Sequence, residues 1–507
     1  MTISISNVSV ADPSQALAPA TTAATETSSA SVKREHTFAS RFIVLTICVA
    51  VVMTTLTFGT VHYWALAVLS ISAATIVCFG VADAWKLGSV QLSLNPLQWP
   101  LLGMIVLGLV QLLPLRAPQN IAGLPITPSL ALSLDPYATR LVIIQVTSLL
   151  IYFGATLIFT DSPERLRLLV RTIIIFGFLL AGFGMTQSFA TGGAKVYWFR
   201  ELAQSTAFGP FINRHHFAGY MEMTIALPLG LLFSGVIERD KRAMYAFAAA
   251  LMGVALIMTN SRGGIISLGA EIFFLTVLVS FRSKRVRHQS RAARARFAMV
   301  RAGLAFVLLA VLIGGAIGFG GSEVFSRLLG TPTAADPSTG RAHFWNVTLD
   351  IIKANPYFGT GLGAFGVIYT RYDTHNGLFR LEQAHNDYLQ VLSDGGIAGG
   401  VLALAFVVIL FRQGFVRRET DDRFRRGVAT GALAGCFAVL VHSFFDFTLH
   451  TTANALLFLV LAALATLDSR VDRPSRRRRR RRRSHAAGEV EEAAVANIES
   501  LESPPTE

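Results

Sequence analysis

The sequence predicts an all-α integral membrane protein, with about twelve transmembrane helices and one large loop outside the membrane that contains short helices. Three observations predict it. Apolar residues make up 52 % of the 507-residue chain and charged residues 15 %, short of the roughly one quarter charged that water-facing proteins carry, and the mean hydropathy is +0.51. Apolar stretches long enough to cross a bilayer as a helix, about 17 to 25 residues, recur along the chain. Basic residues concentrate in alternate connecting segments, as the cytoplasmic excess of Lys and Arg requires.

Taken in order, the spans begin near Arg41, His62, Gln98, Arg140, Leu168, Ala218, Ala243, Gly263, Ala302, Ile397, Gly427 and Thr452. Residues 1–36 are rich in Ser, Thr and Ala without a sustained apolar run. They read as a disordered cytoplasmic tail, since a cleavable signal would place its apolar core directly after a basic start. Nine spans then occupy residues 37–320, the outer loop 321–396 and the last three spans 397–470, with a low-complexity tail at 471–507. Alternation puts inside the stretch with Arg282, Lys284, Arg285, Arg287, Arg291, Arg294, Arg296 and Arg301, which has no acid. The segment from Arg412 to Arg426 and the run Arg476 to Arg483 fall on the same side. Both termini are then cytoplasmic, and the outer loop has five Lys/Arg against seven Asp/Glu.

The net charge of +14 drops to +6 once the eight arginines of that run are set aside. Beside a bilayer such a run attracts anionic membrane lipid or holds topology, so no nucleic-acid partner is expected. Cys48, Cys78 and Cys436 lie far apart in apolar stretches. Neither a disulfide framework nor a clustered zinc site is indicated, and no metal or other cofactor is expected. No internal repeat suggests the inverted halves of a transporter.

Within the outer loop, a helix from about Arg341 carries Trp345, Leu349 and Ile352 on one face and stops at Asn355-Pro356. Gly359, Gly361, Gly363 and Gly366 make a turn-rich link, free to let the loop fold back over the membrane. A second helix starts near Ala384, carries His385 and Leu389, and ends at Asp394-Gly395-Gly396.

Three clusters place costly polar groups at outer span ends. They are Asn213-Arg214-His215-His216 before the sixth span, Ser261-Arg262-Gly263-Gly264 at the start of the eighth, and Arg341 with Trp345 plus His385-Asn386-Asp387 in the loop. An arginine at a span rim either snorkels to headgroups or faces a partner or a water-filled cavity. Gly263 and Gly264 leave room beside Arg262 for a bulky anion to approach the backbone. Guanidinium forks bind phosphate oxygens bidentately, and imidazole is a usable base near neutral pH. Arginines for a departing lipid diphosphate and a histidine for an incoming sugar hydroxyl suffice for glycosyl transfer without metal. The carboxylates Asp373, Glu382, Asp387 and Asp394 show no recognisable hydrolytic pairing.

From Phe208 to Leu464 the chain resembles the O-antigen ligase and polymerase superfamily of bacterial envelope proteins. The resemblance rests on Asn213-Arg214-x-His216-Phe217-Ala218-Gly219, Ser261-Arg262-Gly263, Arg341-x-x-x-Trp345, Asn355-Pro356 with Gly359-x-Gly361-x-Gly363, and His385-Asn386-x-x-Leu389-Gln390. His442-Ser443-x-x-Asp446-Phe447 and Ala453-Asn454-Ala455 also fit. His215 departs from the pattern, which often has Asn there. The resemblance implies glycan transfer, with inversion and without metal, from undecaprenyl diphosphate to an acceptor glycan or lipid A core sugar on the periplasmic face of the inner membrane. It implies that Arg262 and Arg341 hold the diphosphate, that His385 acts on the acceptor hydroxyl, and that Arg214, His216, Trp345 and Asn386 line the substrate cavity. Other polysaccharide assembly proteins are expected as partners. The competing expectations are a transporter of lipid-linked sugars and a non-catalytic assembly protein.

Overall fold

The computed structural model describes residues 2–6, 36–116, 130–202, 205–280, 341–374 and 381–468. Its described part is an α-helical membrane protein with thirteen α-helices: α1 (Phe38–Leu56), α2 (Tyr63–Leu87), α3 (Gln98–Gln111), α4 (Pro136–Phe159), α5 (Pro163–Thr191), α6 (Arg214–Phe233), α7 (Arg239–Met258), α8 (Arg262–Ser280), α9 (Arg341–Ala354), α10 (Phe365–Tyr372), α11 (Asp387–Arg417), α12 (Arg423–His442) and α13 (Thr452–Thr466). Among the described residues, nine helices are long and apolar enough to cross a membrane: α1, α2, α4 to α8, α11 and α12. Their outer faces are apolar, with Val68, Ile71, Ile175, Leu179, Val401 and Leu404 all exposed. In water such a surface would drive aggregation; in a bilayer it is solvated.

The third and twelfth expected spans correspond to α3 and α13, of 14 and 15 residues, shorter than the ~20 residues that a full crossing takes. Each has a physical reason. Helix α3 has its C-cap at Leu112, two residues before Pro114, which cannot continue a helix; its last residue, Gln111, reaches across the fold, its amide donating to the carbonyls of Phe358 (2.6 Å) and Asp394 (2.8 Å) and its oxygen accepting from Leu362 N (2.9 Å). Helix α13 is buried along nearly its whole length and starts only after the connection 443–451, which holds a short 3-10 turn at Thr448–His450. The expected ninth span near Ala302, the basic stretch 282–301, the first part of the outer loop and the run Arg476 to Arg483 lie outside the described residues. Within the N-terminal tail, Thr2–Ser6 pairs antiparallel with Ser89–Ser93.

The centre of the bundle is α6, buried at all but three of its twenty residues and packed chiefly against α12. Small residues allow the approach. A Cβ on Gly230 would lie 2.5 Å from Gly431 N, and one on Gly431 would lie 3.1 Å from Leu227 Cα. With Gly427, Gly431 and Gly435 at four-residue spacing on α12, this is the small-residue packing of membrane helices. It carries His442, at the end of α12, down beside Glu222 on α6.

The outer loop differs from expectation in three ways. Helix α9 buries Val347, Thr348 and Ile351, with Phe344 packed on the same small core as Phe365, Ile368, Tyr369 and Ala384. The Trp345, Leu349 and Ile352 face is not the inner one, and Leu349 is exposed; both sets share helical spacing, and neighbours decided between them. The second helix begins at Asp387, capped by the Asn386 side chain, so His385 precedes it. It does not end at Gly396 either: α11 continues into the membrane across a sharp break there, where Gly396 adopts φ 60°, ψ −158°, a backbone region essentially restricted to glycine.

That break docks against the glycine-rich link. Ile397 N and Ala398 N donate to the carbonyls of Pro356 (2.8 Å) and Tyr357 (3.1 Å), while Thr360 N and Gly361 N donate to those of Ser393 (2.9 Å) and Asp394 (3.1 Å). A Cβ on Gly359 would stand 2.6 Å from Gly395 N, one on Gly361 2.7 Å from Ser133 Cβ, and one on Gly396 2.5 Å from the Tyr357 carbonyl carbon. The link is therefore a tightly packed saddle and not a free hinge, which corrects the expectation that it supplies freedom of movement.

Candidate active site

Three helix starts and one helix end meet at one end of the bundle. Asn213 caps α6 by accepting from His215 N (2.8 Å), Ser261 caps α8 by accepting from Gly264 N (3.2 Å), and Asn386 caps α11 by accepting from Tyr388 N (3.0 Å) and Leu389 N (3.1 Å). Helix α12 arrives with His442, followed by the stretch Ser443 to Thr451, in which Ser443, Asp446, Thr448 and Thr451 are buried. Three N-termini pointing at one region give it a positive potential suited to an anion.

Asp446 is the hub. Its side chain is 1 % exposed, with Arg341 Nη2 at 3.0 Å from Oδ2, His385 Nδ1 at 3.2 Å from Oδ1 and His215 Nδ1 at 3.9 Å from Oδ2. Burial alone would raise the Asp446 carboxyl, but the His385 hydrogen bond and the charges of His215, His385 and Arg341 hold it well below the usual carboxylate range. An ionised Asp446 accepts from His385 Nδ1–H, which leaves Nε2 bare as a base. The His385 ring lies between Phe447, edge-on at 4.8 Å, and Phe344, stacked at 6.0 Å. Its backbone is in the left-handed region at φ 50°, a strained state for a non-glycine residue that only over-determined surroundings maintain. Those surroundings are visible: Ala384 N donates to Gln390 Oε1 (2.6 Å), and Gln390 Nε2 to Asp394 Oδ1 (3.0 Å).

The residues singled out in the sequence thus divide. Arg341 and His385 meet on one carboxylate. Arg262 opens α8 directly after Ser261, whose Oγ is 2.8 Å from His215 Nδ1, so its backbone is held at the same place. Asn386 is spent on structure, since its amide also donates to Phe444 O (3.1 Å). Trp345 is half-buried one turn after Arg341, and its indole N–H has no partner among the described residues. Arg214 is half-buried at the first turn of α6. His216 is buried, with Nδ1 2.7 Å from Thr451 Oγ1 and its ring edge-on to Phe447; its neighbour His215 is the one turned to Asp446. Room for an anion beside Gly263 and Gly264 is not what these glycines provide: added Cβ atoms would meet His442 Cδ2 at 2.8 Å and Ala218 Cβ at 2.9 Å.

The reading from sequence assigned no role to Asp446, Ser261, Glu222, His442 or His450. For all but Ser261, the signal was an acid or imidazole inside or between apolar spans, where such groups are costly. His450 makes a second acid–imidazole pair, with Nδ1 2.6 Å from Asp387 Oδ1. Burial opposes its protonation, yet the hydrogen bond to Asp387 and the charges of Asp387 and Asp394 raise it above the ordinary histidine range.

Residues 247–404 match the family model described as O-Antigen ligase. Over this segment the chain is similar to the O-antigen ligases. The matched segment runs from within α7 to the membrane part of α11 and so includes Arg262, Arg341, Trp345, His385 and Asn386. The hub Asp446 and the α6 cluster lie outside the matched segment and are brought to it by folding. No curated protein matches the chain.

Proposed function

We propose that the protein is a metal-independent, inverting membrane glycosyltransferase of the polymerase or ligase type. It would move a glycan from undecaprenyl diphosphate to the hydroxyl of an acceptor glycan or lipid A core, on the periplasmic face of the bacterial inner membrane. The observation that carries this reading is the shared carboxylate, Asp446, which holds a base and a guanidinium one hydrogen bond away on either side. In the proposed step the acceptor oxygen attacks the anomeric carbon while His385 Nε2 takes its proton. The bond from that carbon to the diphosphate oxygen breaks, and the diphosphate leaves with the electron pair. Asp446 occupies one Nη2 donor of Arg341, so the remaining N–H groups of the fork, together with Arg262 and the helix N-termini, receive the developing charge.

The proposed sidedness follows from the two ends of the bundle. Arg418 donates to Leu278 O (2.7 Å) at the far end of α8, whereas the start of α8 is at the site. The arginines around residues 412–426 therefore lie opposite the site, which supports a cytoplasmic placement for them and for both termini.

The test uses the full chain in lipid vesicles with a lipid-diphosphate glycan, an acceptor and a chelator. His385→Ala should lower turnover about 100- to 10,000-fold with donor binding retained, and Arg341→Lys should be impaired because lysine lacks the planar fork. Wild-type turnover by both variants, or a retained anomeric configuration in the product, would overturn the proposal.

A further inference from the structure

Behind the site the bundle holds a second set of ionisable groups that the proposed transfer does not use. His442 and Glu222 are fully buried, with His442 Nδ1 3.2 Å from Glu222 Oε2. On the other edge of the ring, Nε2 is 3.5 Å from Ser261 Oγ, which is itself 2.8 Å from His215 Nδ1. His215, on the rim of the cluster with its side chain 21 % exposed, faces Asp446. At the inner end Ser267 donates its hydroxyl to Glu222 Oε2. One turn further along α8, Glu271 is buried, and neither of its carboxyl oxygens has a hydrogen-bond partner among the described residues. The groups facing Glu222 are thus His442 from α12 and Ser267 and Glu271 from α8. His442 in turn has Ser261 against it and the charges of Asp446 and Arg341 in reach.

An acid and an imidazole inside a membrane bundle are costly, and a well-packed apolar pair of like volume is often as stable or more so. The spacing, however, suits proton transfer: each heavy atom is within hydrogen-bond distance of the next from His215 to Glu222. We infer that His215, Ser261, His442 and Glu222 form a proton relay that carries a proton released in the site into the bundle, with Glu222 as its terminal acceptor.

The step balances. His215 gains a proton at Nε2 and gives up the one on Nδ1 to Ser261 Oγ. Ser261 passes its own hydroxyl proton to His442 Nε2, and His442 gives its Nδ1 proton to Glu222. One proton has then moved from the site to Glu222, the carboxylate has become a carboxylic acid, and both His215 and His442 have changed tautomer. The reverse sequence restores the start. The inference rests on the proposed transfer only for the source of the proton, the acceptor hydroxyl that His385 deprotonates.

The experiment is infrared difference spectroscopy on the full chain in nanodiscs after a downward pH jump, with no glycan present. Wild type should develop the carbonyl stretch of a buried carboxylic acid, absent in Glu222→Gln and retained in Glu271→Gln. In Ser261→Ala the band should form about a hundredfold more slowly, the lower end of what a positioned proton carrier contributes. Ser261→Thr keeps both the hydroxyl and the α8 cap and should restore the wild-type rate, which separates a cut relay from a loosened helix. A band that is missing in wild type, that disappears in Glu271→Gln, or that forms at the wild-type rate in Ser261→Ala would overturn the relay. Because no transfer is monitored, loss of the relay leaves the transferase proposal standing, and failure of glycosyl transfer leaves the relay standing.

Discussion

Replacing Asp446 by asparagine preserves shape and removes one charge, which makes it the sharpest perturbation of the site. Arg341 at 3.0 Å loses its counter-charge, and His385 at 3.2 Å loses the carboxylate that accepts its Nδ1–H. At an effective dielectric of ~20, a full charge pair at about 3 Å interacts by about 5 kcal/mol. Desolvation of a carboxylate this deeply buried offsets part of that, and removing one partner of a buried pair costs about 3–5 kcal/mol. The asparagine amide can also donate to His385 Nδ1 and so select the tautomer with the proton on Nε2, where a base must be bare. In the Ser-His-Asp triad the corresponding change costs about 10⁴ in kcat. Asp446→Asn is therefore expected to lower kcat about 100- to 10,000-fold and to raise KM for the donor, because Arg341 loses its brace. Turnover of a lipid-diphosphate glycan by protein in vesicles measures both, with thermal unfolding run alongside to show that the variant is folded. A folded Asn variant with wild-type kcat and KM would refute the assignment of Asp446 as the orienting carboxylate.

Other perturbations test the frame around the site. Gly396→Ala should lose more than about 3 kcal/mol from backbone strain and overlap together, since its Cβ would stand 2.5 Å from Tyr357; Gly269→Ala, where a Cβ meets nothing within 4 Å, should be neutral or stabilising by up to about 1 kcal/mol, both read by thermal unfolding in detergent. Reporter fusions after residues Ser322 and Arg418 should report opposite faces, and truncation after Ser475 should leave glycan product intact. The raised His450 contributes stability that is fully present below the ordinary histidine value, about 6.5, and is lost as pH rises through its higher folded value. The unfolding temperature should accordingly fall toward alkaline pH, and His450→Gln should flatten that slope.

The membrane part was legible because lipid-facing helices leave uninterrupted apolar runs. Every expected span start that falls on described residues, from Arg41 to Thr452, lies in a helix or at its cap. Length was less legible: hydropathy alone does not distinguish α13, buried among its neighbours, from a helix that faces lipid. Arg341 and His385 were legible as candidates through their local motifs. Their meeting point was not, since Asp446 lies 105 and 61 residues from them and no local pattern encodes a contact at that separation. The signal available was chemical, an acid between phenylalanines at a span end, and the same signal marked Glu222 and Glu271 inside α6 and α8.

The glycines show why reading a residue type differs from reading its surroundings. A glycine in a sequence marks a missing side chain, and the space can serve motion, a ligand or a neighbouring segment. At Gly263 it admits His442, at Gly431 it admits α6, at Gly359 it admits the broken helix, at Gly361 Ser133 and at Gly396 the backbone of Tyr357. All of these are close approaches between parts of the chain. The outer segment consequently does not swing over the membrane on a loose link. It is pinned by Gln111 and by the paired amides of residues 360–361 and 397–398, so the fold itself holds Arg341 and His385 at Asp446. For group transfer this placement matters, because orientation fixed during folding lowers the entropy lost when the reactants are brought together.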